Sequence, residues 1–511
     1  MRKEDWVIKY ITGANHSGMY LGVSDIYTLF FLYEQRLLTV RQLHTFYNHY
    51  HEQPINYNAL INRLNKMVKL RFIKKANYYL KKRHGFEMSI YSIGDKGLYI
   101  LEHAGFITNR KENPHVGRRQ YEHTLGVKEV VIRTIDLEIK RKGWFCSQNG
   151  ENLYVFKKLI NEYGISNVSP FSRWSSIPKF IYESEEWGEN ENMERGARDE
   201  RMYGKDDVLY SMQPFSMFKD IKDDDDNLKP DWIFRFNKHQ LSIEVDTGSE
   251  RNPVIVSKIK KYIRLAKLMP TIQHHVIFAI IDNSYPTISE HSSRKQRTSN
   301  LKELIREIPE LATSNLQVYV TPMRRIPAVM YQVLNNARNT MNNNIDYYKQ
   351  LIPRLNNSLA FSYNTNLIES KELLKDHGFY HQGFLTTNLP VYHFQKKVTQ
   401  NAVGLLEFRA IVTKMIEGNV NSYKTLAELS QLLAKNNSHE GKWVFPRDTK
   451  IIAIYPNELP ETESSVLHDI FHSSISDNVI LVREEDIKSF NPQFYDIRQR
   501  ELKQFEDFFY Q

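Results

Sequence analysis

Apolar and polar positions alternate from Trp232 to Asp246. Trp232, Phe234 and Phe236 interleave with Ile233 and Arg235, following Asp231. After the polar turn Asn237-Lys238-His239-Gln240, Leu241, Ile243 and Val245 interleave with Ser242, Glu244 and Asp246. Period two predicts a β-hairpin with one buried face. A turn centred on Lys238-His239 pairs Asn237 with Gln240, which sets Asp231 opposite Asp246 and Ile233 opposite Glu244. In that register the three carboxylates share one face and six apolar residues the other. Thr247-Gly248-Ser249 then makes a turn, and Pro253 opens a helix on which Lys258 and Tyr262, four residues apart, lie on one side.

Before the hairpin the period lengthens to that of helices. Val23 to Leu37 reads as a helix capped by Ser24, and Thr39 caps a second at Val40 to Tyr47. Tyr57 to Leu70 forms a third, with Leu60, Ile61, Leu64, Met67 and Val68 inward. Two strand-like runs around Lys81-Lys82-Arg83-His84-Gly85 complete the outline of a winged helix over residues 23–103. Residues 104–121 read as a linker. Tyr121 to Lys142 is an amphipathic helix, with Leu125, Val130, Val131, Ile135 and Ile139 inward and Glu122, His123 and Glu129 as polar contributors to a site.

Residues 146–229 interrupt the pattern and read as an insertion, with a short helix at Asn152 to Tyr163 and a strand at Lys179 to Tyr182. Beyond the hairpin, a strand at His275 to Ile281, a helix around Leu301 to Leu311 and a strand at Leu316 to Val320 imply a mixed sheet covered by helices. Helical segments at 326–356 and 402–417 follow. A strand at Lys450 to Tyr455, a helix at Ser464 to Phe471, a strand at Asn478 to Val482 and a terminal helix at Gln499 to Tyr510 complete a small C-terminal α/β domain. The expected fold class is α/β multidomain, divided as 1–110, 111–325 and 326–511.

Composition narrows the chemistry. A chain of 511 residues has the length of about three domains. No apolar run approaches the ~18 residues of a membrane span, and MRKEDWVIKY has no signal-peptide apolar region, so a cytoplasmic location is expected. Cys146 is the single cysteine, which excludes an internal disulfide and a thiolate zinc cluster. There is no P-loop of the form GxxxxGK[ST]. The chemistry falls to oxygen and nitrogen groups.

Net charge is +9, unevenly spread: Gln53 to Phe86 holds nine Lys or Arg and no acid, whereas Glu183 to Asp226 is acidic and ends in the run Asp223 to Asp226. A helix in the major groove with a basic wing on the backbone is a common way to dock duplex DNA. Arg63, Lys66, Lys69, Lys74, Lys75, Lys81, Lys82 and Arg83 are the candidate contacts, and they would give salt-dependent binding. A winged helix used for protein contacts is the alternative.

Like charges facing one another destabilise a sheet unless something neutralises them. Asp231, Glu244 and Asp246 are therefore candidate ligands of a hard divalent ion, Mg²⁺ or Mn²⁺. Lys258 could steady a developing phosphorane charge or orient a nucleophile, with Tyr262, His123 and Glu129 nearby. The alternative is a solvated hairpin face with ordinary acids. His49-Tyr50-His51 matches the His-hydrophobic-His metal tripeptide of one class of relaxases, but it falls in a loop between two helices with no carboxylate beside it.

Pro230-Asp231 and Glu244-Val245-Asp246 resemble the motif of the PD-(D/E)xK nuclease fold, with Asp at position 246 where that family usually has Lys. Some members supply the lysine from the following helix, where Lys258 stands. The whole order is similar to the replication–relaxation family of plasmids and mobile elements, akin to the MOB-C relaxases. It shares a winged helix, a helix starting His123-x-Leu125, then E-V-D-T-G-S-E with Lys258 and Tyr262 downstream. The resemblance covers about residues 20–325. It implies nicking or processing of plasmid DNA, with Asp231, Glu244 and Asp246 holding metal, Lys258 assisting and Tyr262 hydrogen-bonding. Two rival readings stand beside it: a non-catalytic DNA-binding replication-control protein, and an assembly factor that recruits transfer or replication proteins.

Overall fold

The alternation at 232–246 does build a hairpin, in a register two residues from the one expected. The structure, a computed structural model, describes residues 8–12, 17–21, 23–49, 55–79, 87–103, 116–117, 120–142, 209–212, 228–236, 238–248, 250–282, 294–312, 315–338, 345–358, 361–385, 389–397, 407–437, 445–446, 448–456, 478–496, 502–503 and 505–508. It divides into two compact units, residues 1–294 with 322–327, and residues 295–321 with 328–511.

The first unit opens with a strand pair that the sequence pattern did not show, β1 (Ile8–Thr12) and β2 (Ser17–Leu21). Then come α1 (Val23–Gln35), β3 (Leu38–Thr39), α2 (Val40–His49), α3 (Tyr57–Lys69), β4 (Ile73–Tyr79), β5 (Glu87–Ile93) and α4 (Asp95–His103). The strands form an antiparallel sheet in the order β3-β5-β4. Leu60, Leu64 and Met67 bury one side of α3, and Phe31 stacks on Phe46 between α1 and α2 at 3.7 Å. Asn56 caps α3, its side chain accepting the Asn58 N–H.

After α5 (Tyr121–Lys142) come β6 (Tyr210–Met212), β7 (Trp232–Phe236), β8 (His239–Asp246), α6 (Asn252–Leu268) and β9 (Gln273–Ile280). In this unit the sheet runs β9-β8-β7-β6, with β8 antiparallel to β7 and parallel to β9. The last hairpin pair is Phe236 with His239, and Trp232 faces Ile243. The loop therefore falls one residue earlier than expected. A shift of two in the pairing preserves the predicted alternation, but one step further in the same register puts Asp231 beside Glu244 rather than Asp246.

Two more expectations need correction. β8 is not half-solvated: every residue from Gln240 to Asp246 is buried, because it is a central strand covered on both sides. Val245 packs against α5, where a Cβ on Gly126 would sit 3.2 Å from Val245 Cγ1 and 3.0 Å from Ile281 Cδ1; glycine lets the helix approach that closely. On the other face Tyr262 of α6 reaches Glu244. The interval read as an insertion also ends early, since Tyr210–Met212 pairs with β7 as a strand of the sheet. The helix and strand expected at 152–163 and 179–182 lie outside the described residues.

The second unit contains most of α7 (Arg294–Arg306), of β10 (Leu316–Pro322) and of α8 (Ile326–Arg338), and α9 (Ile345–Leu351). Its seven-stranded sheet runs β11 (Tyr363–Ile368), β12 (Val391–Lys396), β13 (Glu407–Lys414), β14 (Thr449–Tyr455), β15 (Val479–Arg483), β16 (Phe494–Asp496), β17 (Leu502–Lys503). Its parallel centre is β13-β14-β15, with α10 (Val420–Asn437) crossing between the first two. One core gathers around Phe379, Tyr423 and Tyr455, another around Tyr363, Phe394 and Phe505.

The helix expected at 402–417 is also corrected here. Glu407–Lys414 is a strand with Phe408, Ala410, Ile411 and Val412 fully buried, and such two-sided burial hides the period of two. The end of the chain likewise forms a two-residue strand and a 3₁₀ turn, Phe505–Phe508, in place of one helix. The helix expected at 464–471 lies outside the described residues. Among the described residues no helix is long and apolar enough to cross a membrane.

Candidate functional site

β7, β8, α5 and α6 each bring one part of the site, all within the first unit. Glu244, on the central strand, is 2 % exposed. Its Oε1 accepts the Tyr262 hydroxyl hydrogen at 2.6 Å, and its Oε2 accepts Lys258 Nζ at 3.0 Å. Lys258 also donates to Glu250 Oε1 at 3.1 Å. The four-residue spacing of Lys258 and Tyr262 thus places both on the Glu244 side of α6, as the helical period requires.

Asp231 enters from the start of β7. Its Oδ2 accepts the Val245 N–H at 2.8 Å and faces His123 Nε2 at 3.1 Å. Lys128, further along α5, lies over the Trp232 ring at 4.2 Å from its centroid. Helix α5 is in this way fastened to the first strand of the hairpin.

The electrostatics follow from burial and from Asp231. Burial, then the Asp231 charge, push the Glu244 carboxyl up to about 7, with Lys258 and Tyr262 pulling the other way. Burial alone would lower the Lys258 ammonium, but Glu244 and Glu250 outweigh it and raise it. The Tyr262 hydroxyl is raised well above its ordinary value, first by burial and then by Glu244. Burial opposes the charged form of His123, yet its hydrogen bond to Asp231 and the Asp231 charge bring it out raised.

The other predicted residues have different surroundings. Asp246 is buried at the end of β8, where its Oδ1 accepts the Gly248 N–H at 2.8 Å and so shapes the turn in which Gly248 takes φ +84°. Glu129 accepts Gln42 Nε2 at 3.0 Å and Arg133 Nε at 2.8 Å, which ties α5 to α2. Arg63 makes a two-point ion pair with buried Asp25. Lys66, Lys69 and Lys75 are exposed, and Lys74 pairs with Asp95 at 2.8 Å. Lys81, Lys82 and Arg83 lie outside the described residues, as do Tyr50 and His51, while His49 ends α2.

Sequence reasoning missed Glu250 and Gln42. Glu250 ends the E-V-D-T-G-S-E run in the turn just before α6, eight residues before Lys258, where no helical period marks it. Gln42 is the fourth residue of Thr39-x-x-Gln42, a capping box in which the Thr39 N–H donates to Gln42 Oε1 and the Gln42 N–H to Thr39 Oγ1.

Among the described residues no group of three or more His, Cys, Asp or Glu could hold a metal ion. Asp231 and Glu244 are hard oxygen donors of the kind Mg²⁺ or Mn²⁺ takes, with Glu244 Oε1 and Oε2 already accepting Tyr262 and Lys258. Such ions commonly take one or two carboxylates and complete their shell with water or phosphate oxygens.

Comparison with curated proteins and with solved structures gave no match. Comparison with family models matched residues 29–279 to the family described as replication-relaxation, a span that holds α2, α3, α5, the hairpin and α6. Residues 29–279 of the chain thus carry the pattern of the replication-relaxation family.

Proposed function

We propose that this protein binds duplex DNA through a winged helix at residues 23–103 and breaks phosphodiester bonds at the Asp231–Glu244 pair of a PD-(D/E)xK-like core. The family match over residues 29–279 supports a role in the replication or processing of plasmid or mobile-element DNA. The observation that carries the cleavage reading is the placement of Asp231, Glu244 and Lys258 around one point of the sheet, fixed by Tyr262 and His123.

Asp231 and Glu244 would hold Mg²⁺ or Mn²⁺, which when bound supplies Lewis-acid polarisation of a phosphodiester and a more acidic water. The side chains do the remaining work. Lys258 lies 23 % exposed, close enough to the surface to meet a phosphate oxygen and offset charge that develops there. Tyr262 keeps Glu244 in one rotamer. His123 orients Asp231 and can hold a proton at Nε2. Asp246, the third predicted ligand, fits here as the residue that sets the turn into α6.

A second reading has its own support: Lys258 and Tyr262 already satisfy both oxygens of Glu244, as in a purely structural polar core. The protein would then be a DNA-binding replication-control or transfer-accessory factor, its second unit available to recruit replication or transfer proteins. Supercoiled plasmid from the protein's own element separates the two. Wild type, Asp231→Asn and Asp246→Asn are incubated with Mg²⁺ or Mn²⁺, with EDTA controls. Open circles from wild type that vanish with Asp231→Asn and EDTA support the nuclease. Intact supercoils in every lane, with DNA bound and shifted, leave the binding protein.

A further inference from the structure

We infer that the outer face of α6 is a second nucleic-acid backbone track, separate from the winged helix and leading away from the acid pair. The inference rests on the DNA-binding reading above.

The inner side of α6 is spent on the fold: Ile255, Ile259, Tyr262, Ile263, Leu265 and Ala266 are buried. The opposite side carries Ser257, Lys260, Arg264 and Lys267, all exposed, at intervals of three, four and three residues. That spacing makes one stripe along roughly 15 Å of helix. Lys261 lies at its edge, three residues on from Lys258, so positive charge continues from the acid pair round to the outer face.

From Arg251 to Thr271 the chain has six Lys or Arg and no Asp or Glu. A solvated helix usually interleaves signs, because like charges at three or four residues repel. Here Lys260, Arg264 and Lys267 place like charges four and three residues apart along the stripe, and the helix itself contains no Asp or Glu. Only Lys267, in the last turn, is favoured by the helix dipole. Val254 and Leu268, 51 % and 52 % exposed, flank the cations with apolar surface. A polyanion with apolar sugar edges complements this face in both respects.

The test is a fluorescence-anisotropy titration of a labelled duplex with the full chain at several salt concentrations. Wild type is compared with Lys260→Ala/Arg264→Ala/Lys267→Ala, with Lys66→Ala/Lys69→Ala, and with the control Lys371→Ala/Lys375→Ala on the second unit. Each phosphate that goes unneutralised in a variant lowers the slope of log K against log salt by about 0.9. The α6 triple variant should therefore lose about two to three units of slope and roughly tenfold or more in affinity, while the control keeps the wild-type values. An α6 variant that binds with wild-type slope and affinity, or that falls no further than the control, overturns the track while leaving winged-helix binding in place. If wild type itself shows no salt-dependent binding, the function proposed above falls with it.

Discussion

The Tyr262 hydroxyl lies 2.6 Å from Glu244 Oε1, across the interface between α6 and the central strand, and both residues are buried. A phenol so placed is a hydrogen-bond donor with no route to a phosphorus atom. Tyr262→Phe should retain strand breakage within about tenfold of wild type and lose about 1–3 kcal/mol of stability through the orphaned carboxylate oxygen. Denaturing gels of reaction mixtures with labelled DNA check the first part, urea unfolding the second. A covalent protein–DNA adduct that disappears in the variant would make Tyr262 a nucleophile and sink this assignment.

Divalent ions should stabilise the folded chain through the acid pair. An ion at a hundredfold over its dissociation constant adds about 2.7 kcal/mol. The melting temperature of wild type should rise by several degrees in millimolar Mg²⁺ or Mn²⁺, and that rise should vanish in Asp231→Asn. An equal rise in both proteins would place the ion elsewhere.

Arg63 and Lys66 should part company under mutation, although both lie on α3. Arg63 is committed to Asp25, which is 1 % exposed, and removing it takes the cation away from a buried carboxylate at a cost of about 3 kcal/mol. Arg63→Ala is expected to show its main effect in thermal unfolding. Lys66→Ala should leave unfolding unchanged and weaken DNA binding across all sequences. The reverse pattern would refute the assignment.

Gln42 and Glu129 should be energetically coupled. Gln42 Nε2 donates to both Glu129 Oε2 and the Leu125 carbonyl, at 3.0 and 3.2 Å. A double-mutant cycle of Gln42→Ala with Glu129→Ala should return about 0.5–3 kcal/mol of interaction. Additive losses would mean that α2 and α5 pack without help from this bond.

Lys414 should make the second unit respond to alkaline pH. Burial pulls its ammonium down to about 8, with the Glu484 charge acting in the opposite direction. Its Nζ donates to Asn336 Oδ1 at 2.9 Å and lies over the Tyr347 ring. The unfolded chain keeps this proton up to an ordinary lysine value of ~10.4, so between about pH 8 and that value it binds more protons than the native state. Relative stability should therefore rise over this window, by roughly 1.4 kcal/mol per pKa unit of separation at most, and stay flat below it. Urea unfolding of wild type against Lys414→Met as a function of pH reads the difference. A difference independent of pH would exclude the shift.

Local pattern carried much of this architecture. The helix at Tyr121–Lys142 formed with the bounds its apolar period marked, and the hairpin formed over the strands its alternation marked. Register escaped because the polar run at 237–240 allowed two turn positions, and only the pairing of Phe236 with His239 settles between them. The partners of Arg63 and Glu129 escaped for another reason: Asp25 is 38 residues away and Gln42 is 87. No periodicity reports on contacts of that range. Glu407–Lys414 was lost because a strand buried on both faces has no alternation to show.

Helix α5 meets Gln42 through Leu125 and Glu129 and meets Asp231 through His123, two residues before Leu125. The element that would read DNA and the acids that would cut it are gauged from the same few residues of one helix. Breaks made by such a protein should fall at a constant offset from the bound sequence rather than scatter through a window. The chain would then act as a ruler as well as a blade.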